Sequence, residues 1–368
     1  MTATNSKVKR FIRRGSNQNN GSAQTDTFLV DNNGNVDPKT PIIWDFDQLT
    51  NLVAQPIDQK PLLITGGTFT TIANSTETNS YHARGILIQR SNVTVDGLKH
   101  LIRGEGEHGS PYKGFISVSS CANVTVKNTI LTGHKTYHKI GPIGKRVSMG
   151  TYDISLNRAL NTSLINCSQT NDIMDGTYWG IMGTNFCKNL LLDECTLSRF
   201  DAHQGVTNAT IRNSSLGHMG VQLTGFGTFL IENSTVNDRH FISLREDYGS
   251  TWQGDIIIRN CKFIPQGSSA SIIGGHNDGQ HDFGYTCHMP SRILIDGFHV
   301  VDSINSKQGL YLFDNFNHQL TSRSYKQKHP YVITKLLKLK DVTTTSGQPL
   351  RVSSNPYMFK NVKIEGLQ

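Results

Sequence analysis

Asn189-Leu-Leu-Leu-Asp-Glu-Cys-Thr-Leu197, Asn208-Ala-Thr-Ile-Arg-Asn-Ser-Ser-Leu216 and Thr228-Phe-Leu-Ile-Glu-Asn-Ser-Thr-Val236 are three versions of one pattern. Each has a short apolar-rich strand, a polar or small corner and a second short strand. Their starts fall 19 and 20 residues apart. A repeat of this length buries its apolar side only against its neighbours, which signals a solenoid. The repeats alternate with strand period and carry no helical period, so the predicted fold is all-β, a parallel β-helix.

The pattern extends in both directions. Leu62-Leu-Ile-Thr-Gly-Gly-Thr-Phe69, Asn92-Val-Thr-Val-Asp-Gly-Leu98, Asn123-Val-Thr-Val-Lys-Asn128 and Asn161-Thr-Ser-Leu-Ile-Asn-Cys167 precede it. Asp255-Ile-Ile-Ile-Arg-Asn-Cys261, Arg292-Ile-Leu-Ile-Asp-Gly-Phe298, Leu336-Leu-Lys-Leu-Lys-Asp341 and Met358-Phe-Lys-Asn-Val-Lys-Ile364 follow. Coils longer than the shortest spacing must carry excursions, at about 100–115, 133–150, 170–180, 237–253, 265–290 and 305–330. Such loops gather on one side of a solenoid and build a binding wall. The predicted division is an irregular N-terminal segment with a first strand or cap over 1–60, closing the N-terminal end, and the β-helix over 61–368.

Composition agrees. The 368 residues include 34 glycines, suited to many tight corners, and 17% are charged. Net charge is +8, which favours a polyanionic partner. No nucleic-acid-binding motif is present, so nucleic acid is not the predicted partner. No apolar run reaches the ~20 residues of a membrane span. Met1 to Ser16 is polar and basic and does not read as an intact secretory signal. The dense basic run Lys7 to Arg14 reads as a solvated tail.

The cysteines follow the repeat. Cys167, Cys195 and Cys261 occupy one corner position, and Cys121 and Cys187 another. They read as inward-stacked small side chains, not as a disulfide framework. Asn-x-Ser/Thr sequons recur, among them those at Asn74, Asn92, Asn123, Asn161, Asn208, Asn213 and Asn233. Corner asparagines, tolerant of left-handed backbone, explain most of them without glycosylation.

From Leu62 to Asp341 the coils resemble the pectate-lyase-like superfamily of right-handed parallel β-helices. That resemblance implies a carbohydrate chain lying along one outer face, as substrate of a lyase or hydrolase or as ligand of a tailspike-like binder. The polygalacturonase-type order of motifs is approached by Asn171-Asp172, Asp201, Gly217-His218-Met219-Gly220 and Arg245-Glu246-Asp247. It lacks the Asp-Asp pair and the Arg-x-Lys, so those roles are not carried over. The calcium-binding Asp pattern of the pectate lyases has no convincing match either.

Alternation along the strands after the opening repeats puts Phe200, Ala202, Val221, Leu223, Ile242 and Leu244 inside. Asp201, His203, Gln222, Ser243 and Arg245 then point to solvent on neighbouring coils. His218, Arg239, His240, Asp247 and Tyr248 come from adjoining corners, and Trp179 offers an aromatic face one coil earlier. The set suits β-elimination of a uronic acid. Arg245 or Arg239 would neutralise the carboxylate, His203 would be the base, and Tyr248 base or acid. His218 joins this catalytic set, with Asp201, Gln222, His240, Trp179 and Asp247 as substrate-binding residues. Hydrolysis is the second reading, with Asp172, Asp175, Asp201 and Asp247 as carboxylates. A glycan-binding β-helix without catalysis is the third.

A second polar concentration, His276-Asn-Asp278, His281-Asp282 and Cys287-His288, has zinc-type ligand chemistry but no recognisable spacing. It reads as a polar loop that forms a groove wall with Tyr285. No metal and no cofactor is predicted, with calcium left open. The predicted partner is an acidic polysaccharide, met in a secreted, cell-surface or periplasmic setting. Oligomeric state is left open.

Overall fold

Corner residues with left-handed backbone set the architecture. Asn92, Asn123, Asn161, Asn189 and Asn208 have φ of 57, 58, 50, 56 and 57°, and Asn213, Asn233 and Asn260 have φ of 52, 49 and 48°. Asparagine enters this region more readily than other residues with a Cβ. Its side chain also bonds along the stack: Asn189 Nδ2 donates to Asn161 Oδ1 at 2.7 Å, and Asn123 Nδ2 to Asn92 Oδ1 at 2.9 Å. These amides hold corners together, as the sequence reading of the sequons expects.

A computed structural model describes residues 1–74, 81–106, 114–359 and 361–366. Within it, 25 strands form one continuous parallel array wound as a right-handed parallel β-helix. Each coil contributes up to three strands, here assigned to faces A, B and C. Face A runs from Leu62–Thr65 through Val93–Asp96, Ala122–Lys127 and Leu160–Ile165 to Leu336–Thr344 and Lys363–Glu365. Face B includes Thr68–Ile72, Lys99–Arg103 and Thr235–Asp238. Face C includes Ile86–Ile88, Ile116–Ser119, Ile154–Asn157, Val221–Leu223, His240–Leu244, Ser271–Gly274 and Tyr311–Phe313. The long strands Met182–Asp193 and Phe200–Arg212 turn from face C onto face A.

Register makes the core columnar. Val95, Val126, Leu164, Leu192, Ile211, Ile231, Ile258, Ile295 and Leu339 stack in one inward column of face A. All are buried. The six cysteines are buried and free. Those at the corner donate to carbonyls of their own and the preceding coil, as Cys195 Sγ does to Asp193 O and Leu164 O.

The N-terminal segment differs from its expectation. It is not irregular: Thr2–Arg10 pairs antiparallel with both Ser22–Thr27 and Asn51–Val53. Nor does it close the end of the solenoid, where Phe69, stacked in register on the buried His100, stays 40% exposed. It docks instead along the side. Lys188 of the β-helix and Asp26 form a buried ion pair, completed by the Pro41 carbonyl. Phe11 inserts among Trp44, Phe186, Tyr248 and Tyr285 with edge-on ring contacts of 5.2 to 6.3 Å. The basic run is therefore not a free tail. Arg10 lies 4.6 Å over the Trp44 ring, and Arg14 donates to His276 O and pairs with Asp278. A tail becomes a fixed element here because Phe11 has an aromatic socket to fill, a long-range contact that local periodicity does not encode.

Candidate functional site

Face C presents one outward column, Ser117, Ser155, Gly183, Asp201, Gln222 and Ser243 in register. Gly183 is small for a reason: a Cβ there would meet the Tyr152 ring at 2.5 Å. The ring thus lies against the sheet beside Asp201. A groove of about 520 Å³ opens over this part of the column. Its walls are the hairpin Tyr137–Ile140/Arg146–Met149, Trp179, and Arg13 with Asn17 from the docked N-terminal segment.

Charges beneath the groove alternate. Asp201, fully buried, accepts from Arg199 at 2.5 Å, from Arg245 Nη1 at 2.7 and 2.8 Å, and from the Tyr152 hydroxyl. Arg245 spends its Nε and Nη2 on Asp247, at 3.1 and 2.8 Å. Asp247 also pairs with Arg13. The chain Arg199–Asp201–Arg245–Asp247–Arg13 holds three cations and two anions, a surplus of one positive charge. Burial alone would raise the Asp201 carboxyl, but Arg199 and Arg245 outweigh it and hold it well below its ordinary range. Asp247 is lowered in the same way, burial being overcome chiefly by Arg245. Both carboxylates stay ionised.

His203 sits at a β-bulge. Gly183 pairs with Asp201 and Asn185 with Gln204, so Ala202 and His203 together oppose Thr184. Bulges re-aim side chains, and this one brings His203 Nδ1 to 3.0 Å from Asn185 Oδ1. An amide oxygen only accepts, so Nδ1 carries the proton and Nε2 keeps its lone pair. Burial, followed by the nearby Arg245 charge, pushes the imidazole down to about 4. At neutral pH His203 is a neutral base with one tautomer fixed.

The groove also holds unspent donors. Among the described residues, Trp179 Nε1, Thr151 Oγ1 and Arg13 Nε are buried without a hydrogen-bond partner, and all three residues line it. Such groups in a groove wall are sites for a polar ligand or water. Trp179 packs over Gly150, and Arg199 lies 5.1 Å from its ring.

The structure brings His203, Arg245 and Trp179 together along one groove, with Asp201 and Asp247 beneath. Several expectations need correction. Asp201 is fully buried, and Arg245, its side chain only 11% exposed at the groove, is spent on Asp201 and Asp247, so it is not free to neutralise a substrate. Tyr248 is buried under Phe11 and Arg13, which removes it as a solvent-facing acid or base. Gln222 follows Asp201 in the column but turns its Nε2 to Met219 O at 3.1 Å and does not line the groove. Arg239 and His240 lie further along: Arg239 is 4.0 Å from Asp314, and His240 is buried on Ser271 Oγ at 2.8 Å. His218 faces Gly176 across the corner, outside the groove. Asp172 and Asp175 cap their own loop, accepting from Met174 N and Thr177 N at 2.9 Å.

The loop from His276 to His288 receives the N-terminal segment and does not wall the groove; the Tyr285 hydroxyl donates to Tyr248 O at 3.0 Å. Its histidines and aspartates do not converge: His276 stacks on His318, and Asp282 caps Gly284. Tyr152, Arg199, Asn185 and Arg13 were not singled out from sequence. Asn185 sits on the coil beneath His203, but the bulge shifts the register there, so alternation does not signal the pair. Arg13 and Tyr152 arrive by long-range packing, which no spacing signals.

No known family's sequence profile matches the chain. An alignment 127 positions long, covering 29% of the chain, is 24% identical to a protein of Klebsiella phage P510 described as "Depolymerase, capsule KL64-specific". The match spans only 12% of that much longer protein. Among solved structures, the tailspike protein gp49 of Pseudomonas phage LKA1 aligns over 99% of this chain and 62% of its own, at 12% identity and a TM-score of 0.44. The tailspike gp61 of Pseudomonas phage phi297 aligns over 74% and 51%, at 13% identity and a TM-score of 0.35. Neither superposes well enough to transfer residue roles.

Proposed function

We propose that the chain binds an acidic polysaccharide along face C and cleaves it by β-elimination, with His203 as the base. One observation carries the reading: a neutral imidazole, pinned through Nδ1 by Asn185, in a groove of surplus positive charge. The proton alpha to a uronate carboxylate passes to His203 Nε2. Its electron pair forms the new C=C bond, and the glycosidic oxygen leaves with a proton. The Tyr152 hydroxyl, held on Asp201 and kept protonated by burial, is the donor in this scheme. Lys139 on the groove wall, and Arg13 through the Nε that its pairing with Asp247 leaves unspent, attract the substrate's carboxylates, a task Arg245 cannot perform.

Hydrolysis fits less well. It needs a carboxylic acid that keeps its proton near neutral pH. The two carboxylates at this site are each clamped by two arginines and held low. Partial likeness to a protein described as a capsule depolymerase supports a polysaccharide ligand. Such a ligand places the protein's action outside the cytoplasm.

The test is a panel of polyglucuronate, polygalacturonate, alginate and hyaluronan, read for ultraviolet-absorbing unsaturated ends and for reducing ends. The proposal expects both to rise together on at least one polymer. Reducing ends alone would mean hydrolysis. Saturable binding without either signal would leave a glycan-binding protein and remove the catalytic claim.

A further inference from the structure

Face C carries a second groove. His240 pairs with Ser271, Ser271 with Tyr311, and Tyr311 bridges Arg351. Counting from the His203 strand through Val221–Leu223, His240–Leu244 and Ser271–Gly274, Tyr311 lies four coils away and Arg351 five. At about 4.8 Å per coil that is about 19–24 Å along the stack, and because Tyr311 precedes the Ser243 column by three residues while His203 follows it by two, a further ~13–16 Å separates them across the strands. The groove has a volume of about 510 Å³ and is lined by Ser269, Ser271, Gln308, Tyr311, Asp314 and Arg351, among others.

Arg351 is held rigidly. Its guanidinium lies 3.9 Å over the Tyr311 ring, its Nε donates to Gly309 O at 2.8 Å, and its Nη1 to Gln308 Oε1 at 2.8 Å. None of the ion pairs among the described residues includes it. The two carboxylates of this groove are otherwise engaged. Asp302 accepts Ser346 N and Oγ at 2.9 and 2.6 Å. Asp314 accepts Asn315 N at 2.8 Å and faces Arg239. A guanidinium has five N–H donors, so three remain unspent. An arginine stacked on an aromatic ring, with donors to spare and no carboxylate partner, matches carboxylate geometry in a way lysine does not.

We propose that this groove is a second glycan subsite, in which Arg351 binds the carboxylate of an acidic sugar. It rests on the glycan-binding half of the proposed function and not on its chemistry. One sugar of an extended glycan advances about as far as one coil rises. A single acidic chain crossing face C diagonally therefore reaches Arg351 about five to six sugars from His203.

The experiment uses the full chain carrying His203→Ala, so that ligand is not consumed. Oligoglucuronates and oligoguluronates of increasing length are titrated by calorimetry, with cello-oligosaccharides as neutral controls. Affinity is expected to step up by at least tenfold once the oligomer passes about six sugars, the span from one groove to the other. Arg351→Ala removes the step, Arg351→Lys restores part of it, and the neutral series shows none. Matching melting temperatures establish that the variants are folded. The proposal is overturned if Arg351→Ala keeps the step, if neutral oligomers show the same Arg351 dependence, or if no acidic oligomer binds. Arg351-dependent binding by a wild-type protein that releases no product would count against elimination alone and uphold the subsite.

Discussion

Asn185→Asp tests the electrostatics of the His203 site with almost no change of shape. Asn185 Oδ1 lies 3.0 Å from His203 Nδ1. The imidazole is held down to about 4 because burial and the Arg245 charge outweigh Asp201 and Asp247. Replacing the amide by a carboxylate adds a full negative charge at hydrogen-bond distance. At an effective dielectric constant of about 20, two charges 4 Å apart interact by about 4 kcal/mol, roughly three pKa units. Desolvation of the new carboxylate takes back part of that. The expected rise is about one to three units, to roughly 5–7.

Direction matters as much as size. In the native protein, His203 binds its proton only near pH 4, below the ordinary 6.5. The unfolded chain takes that proton first, so stability from this site is lost as pH falls from 6.5 towards 4. Asn185→Asp shrinks that loss. In catalysis the base must be unprotonated, so the acid limb of kcat/KM moves from near pH 4 up by the same one to three units. The assay is an NMR titration of the His203 Cε1–H signal, assigned by its disappearance in His203→Gln. A midpoint that stays within about half a unit of the wild-type value would refute the electrostatic account.

Three further outcomes follow from the same geometry. Lys188→Ala leaves Asp26 buried without its cation and is expected to cost about 3–5 kcal/mol, seen as a lower denaturant midpoint and as proteolytic release of residues 1–53. Burial alone would lower His134, but the Asp153 and Glu105 carboxylates, 3.4 and 3.5 Å from its ring nitrogens, outweigh it and raise it to about 9. The stability it contributes is complete below pH 6.5 and is lost as pH rises through about 9, so melting temperature should fall over that window and flatten in His134→Gln. Arg13→Ala should raise KM for polymer more than it lowers kcat, because Arg13 lines the groove while Asp247 keeps Arg245; an unchanged KM would remove it from the site.

The columnar core was legible because side-chain period and coil spacing both repeat: Leu192, Ile211 and Ile231 fall at the same place in three successive segments. The corner asparagines were legible because few other residues tolerate their backbone. Alternation placed His203 and Arg245 on one face correctly, yet misjudged their exposure. Asp201 counts as outward by period, but Tyr152, Arg199 and Arg245 cover it. The bulge at Ala202–His203 breaks the alternation locally, so the partnership with Asn185 is invisible to a count by twos. Phe11 and Arg13 reach the site across more than two hundred residues, to Tyr248 and Asp247, through packing that leaves no mark on any repeat.

The central claim is that His203 removes a proton from the bound glycan. Its most direct measurement compares wild type with His203→Ala on whichever polymer yields unsaturated ends. General-base catalysis is worth about 10²–10⁴ in rate, so kcat should drop by that factor while polymer Kd stays within about threefold. A His203→Ala protein that still produces unsaturated ends within tenfold of the wild-type kcat would contradict it.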